Sequence, residues 1–184
     1  VQLISIASLI DPHFSGWDRR PSPPDTAVML HHPRGDIMKI NRSTSPITII
    51  TNPINWNNGV TTPADHHLRV NNTEGSFEIG SSGAAMYDEN HRVVGHLHGG
   101  NAPVNGCDNT EGFIGRLYMA WDGGGTPETR LKDWLDPLDT GLDTLDAYAS
   151  PANISGIIFT EEDETVAGVN VIRQIGMDTF ISTT

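Results

Sequence analysis

The sequence has little of what membrane-spanning or nucleic-acid-binding proteins need. No stretch approaches the roughly 20 consecutive apolar residues of a transmembrane helix, so we expect no membrane span. Lys and Arg number only 11 against 23 Asp and Glu, and the formal net charge is -12. A face that binds nucleic acid needs clustered positive charge to neutralise phosphates, and this composition excludes it. Binding to an anionic membrane surface is disfavoured for the same reason.

The negative charge is concentrated towards one end of the chain. Residues 1–121 carry 8 basic and 11 acidic side chains, whereas residues 122–184 carry 3 and 12. A run of like charges with few large apolar residues is typical of a solvated segment. The sequence therefore predicts an acidic linker at residues 139–153.

Cysteine is almost absent, since Cys107 is the single one. It is either a small buried residue or a thiol whose partner lies elsewhere, as an odd cysteine in a secreted protein suggests. The chain begins at Val1 and not at Met, which suggests processing or truncation. The lack of a leader therefore says nothing about the compartment.

Long amphipathic helices are also lacking, and short β-type runs take their place. Pro, Gly and Ser separate these runs, a spacing that predicts an all-β barrel or sandwich. The expected strands cover residues 3–9, 27–31, 36–40, 47–51, 67–70, 84–87, 92–98 and 113–120. One helix is expected from Pro127, capped by Thr126 and ended by Pro137, with an apolar stripe at Leu131, Trp134 and Leu135.

The composition changes after Pro137, and a second pattern begins at Ile154. Alternating apolar residues at 154–159, 166–172 and 179–182 predict three further strands. Three strands cannot close a sandwich core, so we expect a truncated β-sandwich. The expected domains are therefore a barrel lobe at 1–138, the linker at 139–153 and the partial sandwich at 154–184.

The turn Gly80-Ser81-Ser82-Gly83 has the composition that a serine nucleophile requires. Such a serine must sit on a tight turn with an exposed hydroxyl and with backbone N–H groups directed at the developing oxyanion. Glycines on both sides permit that backbone geometry and a close approach of substrate. Gly/Ser turns are common, so the surroundings of the turn have to support the interpretation.

The surroundings resemble the bacterial lysyl endopeptidase-like branch of the trypsin-like serine peptidases. The segments that carry the likeness are Gly16-Trp17-Asp18-Arg19, His31-His32-Pro33-Arg34-Gly35-Asp36, Glu78-Ile79-Gly80-Ser81-Ser82-Gly83, Val94-Gly95-His96-Leu97-His98-Gly99-Gly100, Ile114-Gly115-Arg116 and Leu131-Lys132-Asp133-Trp134-Leu135-Asp136-Pro137. The resemblance implies a double β-barrel endopeptidase of which residues 1–138 form the second barrel, closed by a C-terminal helix.

The resemblance also implies roles for individual residues. Ser82 matches the nucleophile, and the N–H groups of Gly80 and Ser82 would form the oxyanion hole. His98, Gly99 and Gly100 would line the substrate backbone and the S1 pocket. In lysine-cleaving relatives an aspartate precedes the Gly-Arg pair; here Gly112 occupies its place and Glu111 is one residue away, so a Lys or Arg preference is a hypothesis. The catalytic His and Asp are expected in an upstream barrel, and no cofactor is implied.

Several alternatives remain open at this point. A triad within the chain could use His31, His32, His66 or His67, and His91, His96 and His98 could form a zinc site. The aromatic partner that some relatives stack on His98 is not recognisable, because Asn71 or Asn72 occupies the expected region. The whole chain could also be a non-catalytic, protease-like binding or adhesion module of a surface protein.

The resemblance extends to compartment and partners. A relative's cysteine after the His-Gly-Gly strand bonds to one near the mature N-terminus, which gives Cys107 a missing partner and implies an oxidising, extracellular location. Protein or peptide substrates and the upstream barrel are the expected partners. Residues 154–184 resemble the opening strands of carboxypeptidase-regulatory-like repeats, which act as spacers or attachment modules.

Overall fold

The computed structural model describes residues 13–100, 110–149, 170–175 and 178–183. The strands are β1 (His13–Phe14), β2 (Gly16–Asp18), β3 (Ala27–His31), β4 (Lys39–Ser43), β5 (Thr48–Ile49), β6 (Ile54–Asn55), β7 (Thr61–Thr62), β8 (His67–Asn71), β9 (Ala85–Tyr87), β10 (Arg92–Gly99), β11 (Glu111–Arg116), β12 (Thr144–Leu145), β13 (Tyr148–Ala149), β14 (Asn170–Ile175) and β15 (Asp178–Thr183). The helices are α1 (Leu117–Trp121) and α2 (Lys132–Leu135), and a 3-10 turn covers Pro33–Gly35.

One curled sheet dominates the first part of the chain. Its strands follow the order β4-β3-β9-β10-β11-β8-β5, and every pairing along this path is antiparallel. β2 joins β10 in parallel and also pairs with β12. The described residues are thus mostly β with very few helical turns, and the expected all-β fold is confirmed.

Alternating side chains from these strands build the core. In β3, Ala27 and Met29 are buried while Leu30 is exposed, and Ile114 in β11 is completely buried. Burying one large apolar side chain contributes about 1.5–3 kcal/mol before the cost of ordering it. The buried members of this core are Ala27, Met29, Ile47, Leu68, Val70, Phe77, Met86, Val94, Leu97 and Ile114.

Most strand predictions in the described part of the chain agree with the structure. Residues 27–31 match β3, and the runs at 47–51, 67–70, 84–87 and 92–98 correspond to β5, β8, β9 and β10 with small shifts. The strand predicted at 36–40 is wrong in its bounds, because β4 begins only at Lys39 and runs to Ser43, while Ile37 and Met38 are exposed. Residues 3–9 lie outside the described residues.

The prediction of a strand through residue 120 is wrong in its second half. β11 ends at Arg116, and α1 follows directly. Leu117 and Trp121 are both buried one helical turn apart, and Trp121 packs on Trp17 with ring centroids 4.7 Å apart. The i, i+4 spacing of this pair could not be recognised in the sequence, because it lies in an apolar run that is equally typical of a strand.

The expected helix from Pro127 is also wrong in its extent. α2 covers only Lys132–Leu135, and Trp134 is 56% exposed. The backbone N–H groups of Thr129 and Arg130 both donate to the Thr126 carbonyl, and the Thr129 hydroxyl contacts the Thr126 backbone as well. The turn at residues 126–130 does not continue into α2, because the Leu131 N–H donates to the distant Ala120 carbonyl at 3.3 Å.

The chain divides into two compact units, residues 1–150 and 151–184. In the first, β12 pairs with β2 and β13 pairs with β1, so residues 144–149 add to the sheets of that unit. In the second, β14 pairs with β15 in antiparallel orientation, whereas the strand expected at 154–159 lies outside the described residues. None of the helices in the described ranges is long and apolar enough to cross a membrane.

Candidate active site

The turn at residues 80–83 is held on β10 and presents Ser82 to solvent. The Gly83 N–H donates to the Leu97 carbonyl at 2.7 Å, and the Leu97 N–H donates to the Ala84 carbonyl at 2.9 Å. Gly80 and Gly83 have φ values of 96° and 85°, a region that favours glycine. Ser82 is exposed, and its hydroxyl donates only a long hydrogen bond, 3.5 Å, to the His98 carbonyl.

The backbone N–H groups of Gly80 and Ser82 are both free of protein acceptors in the described part of the chain. Buried backbone donors are almost always paired, but these two residues are exposed and their amides can serve a ligand. Two such donors next to an exposed hydroxyl are what an oxyanion hole requires.

The 3-10 turn at Pro33–Gly35 packs against the turn at residues 80–83. The Arg34 N–H donates to the Ile79 carbonyl at 2.7 Å. A Cβ added to Gly80 would lie 3.0 Å from the Arg34 amide nitrogen and 3.2 Å from the His32 carbonyl oxygen. The His31–Asp36 motif therefore fixes the backbone of Gly80, and the Arg34 side chain pairs with Glu78 at 3.2 Å.

The end of β10 offers an open strand edge beside Ser82. On one side β10 pairs with β9 only as far as His96, so His98 lies beyond the end of that ladder. On the other side Gly99 pairs with Phe113 of β11. Unpaired N–H and C=O groups on a strand edge can bind an extended peptide. The three residues assigned to substrate backbone binding, His98, Gly99 and Gly100, lie at this edge.

His98 has an aromatic partner, which corrects the expectation drawn from Asn71 and Asn72. Trp56 stacks on the His98 ring with centroids 4.0 Å apart and an angle of 29° between the planes. The Trp56 indole N–H donates to Thr62 at 2.7 Å and fixes the ring within the β6–β7 hairpin. Trp56 lies far from His98 in sequence, and an aromatic residue beside a hairpin turn carries no local signal of this contact.

A second histidine completes the stack. The His67 Nε2 and His98 Nδ1 atoms lie 2.9 Å apart, so one ring donates to the other. Burial, together with charge repulsion from neighbouring His98, lowers the pKa of His67 to about 4. The pKa of His98 is also lowered, mainly by burial. Both rings are therefore held in neutral form near neutral pH.

In the region assigned to the S1 pocket, an aromatic ring lies against Gly112. A Cβ on Gly112 would lie 2.5 Å from Cε2 of Phe77, whose ring is buried over that glycine. The Glu111 carboxylate lies 3.3 Å from the Arg69 guanidinium. Of the two residues proposed from sequence for substrate binding here, Gly112 thus contacts the Phe77 ring and Glu111 is paired with an arginine.

No histidine in the described residues hydrogen-bonds the Ser82 side chain. His31 contacts the neighbouring Ser81 at 2.7 Å, and His32 contacts the Asp36 carbonyl at 3.0 Å. His67 contacts His98, as described above. A triad completed by one of the His31-His32 or His66-His67 pairs is therefore not formed with Ser82.

The zinc alternative has no support in the part of the chain that the structure describes. It contains no group of three His, Cys, Asp or Glu side chains arranged to hold a metal ion. His91 lies in the turn before β10, while His96 and His98 lie on β10 itself. Cys107 lies outside the described residues.

Comparison with protein families adds a separate line of evidence. Residues 2–113 match the family described as lysyl endopeptidase, C-terminal domain. The chain belongs to that family. The lysyl endopeptidase C-terminal domain match includes the segments at 16–19, 31–36, 78–83 and 94–100, so the exposed turn and its supporting motif lie within it. The match ends before residues 114–116 and 131–137, two further segments that carry the resemblance.

Proposed function

We propose that this chain is the nucleophile-bearing barrel of a serine endopeptidase. The observation that carries the proposal is the exposed Ser82 hydroxyl beside the two available amides of Gly80 and Ser82. Membership of a lysyl endopeptidase domain family supports a protease-related role. It also agrees with a secreted or cell-surface location and with protein or peptide substrates.

The reaction would follow acyl-enzyme chemistry. The Ser82 oxygen attacks the peptide carbonyl carbon while its proton passes to a histidine base, and the amides of Gly80 and Ser82 bind the resulting oxyanion. Collapse breaks the C–N bond, and the same proton leaves with the amine. Water then hydrolyses the ester and restores Ser82. The histidine and its orienting aspartate are proposed to come from an upstream barrel of the full-length protein.

The test is Ser82→Ala in the full-length protein. Removing the nucleophile should lower kcat for peptide hydrolysis by at least about 10⁴-fold, because no other group can form the acyl-enzyme. The measurement is release of amine from a fluorogenic peptide set at saturating substrate. Retention of wild-type turnover by Ser82→Ala would contradict the assignment.

A preference for Lys or Arg at the cleaved position stays a prediction from sequence. A basic side chain would be neutralised by Glu111 only if it competed with Arg69, which lies 3.3 Å from that carboxylate. Comparing kcat/KM for peptides that differ only in Lys, Arg, Leu or Ala at this position tests it. Equal values for the four peptides would overturn the basic preference without affecting the role of Ser82.

The rival proposal is a non-catalytic, protease-like binding module. It is favoured by one observation, that no imidazole within the described residues contacts the Ser82 side chain. A serine without a base is a poor nucleophile, so such a module would not react with a fluorophosphonate probe. The proposed resemblance of residues 154–184 to a regulatory-like spacer fits either function.

A further inference from the structure

A buried polar chain lies directly behind the turn that carries Ser82. The Ser81 oxygen is 2.7 Å from Nδ1 of His31, and Nε2 of His31 is 3.0 Å from Oδ1 of Asn41. The Asn41 amide nitrogen is 3.1 Å from the Ser76 carbonyl oxygen. Ser81, His31 and Asn41 are exposed by only 1%, 3% and 1%. A fully buried polar chain needs a structural or functional reason.

The hydrogen-bond donors in this chain follow one direction. The Asn41 N–H₂ group donates to the Ser76 carbonyl, which leaves Oδ1 as an acceptor for the His31 Nε2–H. Nδ1 of His31 then carries a lone pair and accepts from the Ser81 hydroxyl. Both ring nitrogens of His31 are therefore satisfied, and removal of either partner leaves a buried group unpaired.

This series of hydrogen bonds holds both ends of residues 76–81, the segment that leads to Ser82. Ser76 and Ser81 lie at either end of that segment, while His31 and Asn41 belong to β3 and β4. The Ser81 oxygen also accepts from the Glu78 N–H at 3.4 Å, which closes the turn locally. A Cβ on Gly75 would lie 2.2 Å from Oδ1 of Asn41, so the backbone fits closely around this amide. Residues 76–81 are thus tied to two strands of the sheet.

Ser81, His31 and Asn41 have the composition of a Ser-His-Asn catalytic group, but access argues against that role. Ser81 is 1% exposed, and its oxygen is directed inward to His31. Ser82, the next residue, is exposed and faces the open end of β10. A substrate carbonyl can approach Ser82 and not Ser81.

We propose that Ser81, His31 and Asn41 are positioning residues that orient the Ser82 hydroxyl and the amides of Gly80 and Ser82 towards the same side. The proposal rests on the proposed function of Ser82. The hydrogen bond to His31 holds the Ser81 side chain inward. It thereby fixes the peptide plane between Ser81 and Ser82, which carries the Ser82 N–H. A shift of about 1 Å in such a group can lower a rate by about 100-fold.

The experiment compares Ser81→Ala with Ser43→Ala in the full-length protein. Ser43 is also 1% exposed, and its hydroxyl lies 2.7 Å from the Asn71 carbonyl and 3.5 Å from the Ser45 carbonyl, with no bond to the turn at residues 80–83. Both variants lose a buried hydrogen bond and should show a similar fall in melting temperature. Ser81→Ala should also lower kcat about 10- to 100-fold with KM changed less than about twofold, because the loss affects the transition state. Ser43→Ala should keep both constants.

A second variant covers the case in which Ser81→Ala folds poorly. Asn41→Asp keeps the shape of the side chain but replaces the donor to the Ser76 carbonyl by an oxygen. It should lower kcat in the same direction, again with little change in KM. Wild-type kcat in either folded variant would overturn the positioning role.

Ser82→Ala, measured in parallel, separates this proposal from the one on which it rests. If Ser82→Ala abolishes turnover while Ser81→Ala behaves like Ser43→Ala, only the positioning role is overturned. If Ser82→Ala keeps turnover, or if the wild-type protein has none, both proposals are overturned. Loss of turnover in Ser82→Ala together with the kcat effect in Ser81→Ala supports both.

Discussion

The two faces of the turn at residues 80–83 carry adjacent serines in opposite environments. Ser81 is buried and bonded to His31, whereas Ser82 is exposed and makes only a 3.5 Å contact with the His98 carbonyl. The same side chain is thus a structural group at one position and an available hydroxyl at the next. The two residues are of the same type, so it is the burial and the hydrogen-bond partners of each serine that distinguish their roles.

We expect kcat to depend most strongly on the backbone geometry of the exposed face of this turn. In Gly80→Ala the added Cβ would lie 3.0 Å from the Arg34 amide nitrogen, and φ of 96° is strained for alanine. We expect the Gly80 N–H to be displaced and kcat to fall about 100- to 1000-fold, as for loss of one oxyanion donor. The measurement is kcat of the full-length protein on the same peptide.

The matched control for Gly80→Ala is Gly141→Ala. Gly141 has φ of 73° and open space around its Cβ position, so alanine there introduces backbone strain without a contact. It should cost stability and leave kcat unchanged. An equal loss of kcat in both variants would show that strain in general, and not displacement of the Gly80 amide, lowers the rate.

Acid should lower the stability of the stack of Trp56, His98 and His67, an effect smaller than the loss of kcat expected for Gly80→Ala. The pKa of His67 in the folded chain, about 4, lies below the value of about 6.5 expected for the unfolded chain. The stability that comes from keeping His67 neutral is present above about pH 6.5 and is lost as the pH falls towards 4. The melting temperature of wild type should therefore fall between pH 7 and 4.5 more than that of His67→Gln.

The control for this comparison is His91→Gln, which removes an exposed histidine from a turn. It should keep the wild-type response to acid, because, among the histidines that the structure describes, only His67 is both buried and stacked on a second histidine. Gln at position 67 retains a polar group for His98 and does not titrate. If His67→Gln and wild type lose stability equally, the buried imidazole is not the source of the acid response.

The strands could be predicted more readily than the details of the site. The apolar run Ala27–His31 between segments rich in Pro and Gly is a local pattern, and it predicted β3 with its observed bounds. The exposed Ser82 turn also followed from local composition. The helix expected at residues 127–137 is shortened to Lys132–Leu135, because the Leu131 N–H donates to the distant Ala120 carbonyl and interrupts it.

Contacts between distant residues could not be predicted in this way. The stacking of Trp56 on His98 joins a hairpin turn to the end of β10. The bonds from Ser81 to His31 and from His31 to Asn41 join the turn to two strands. Each partner is an ordinary residue in its local segment, and only the sheet order brings the partners together.

The most direct test of the account is to map which serine reacts. The full-length protein is treated with a fluorophosphonate probe and digested with trypsin, and the peptide of residues 70–92, which contains Ser76, Ser81 and Ser82, is fragmented in a mass spectrometer. The account predicts a single adduct on Ser82, with no adduct on Ser81. An adduct on Ser81, or undiminished labelling of this peptide in Ser82→Ala, would contradict it.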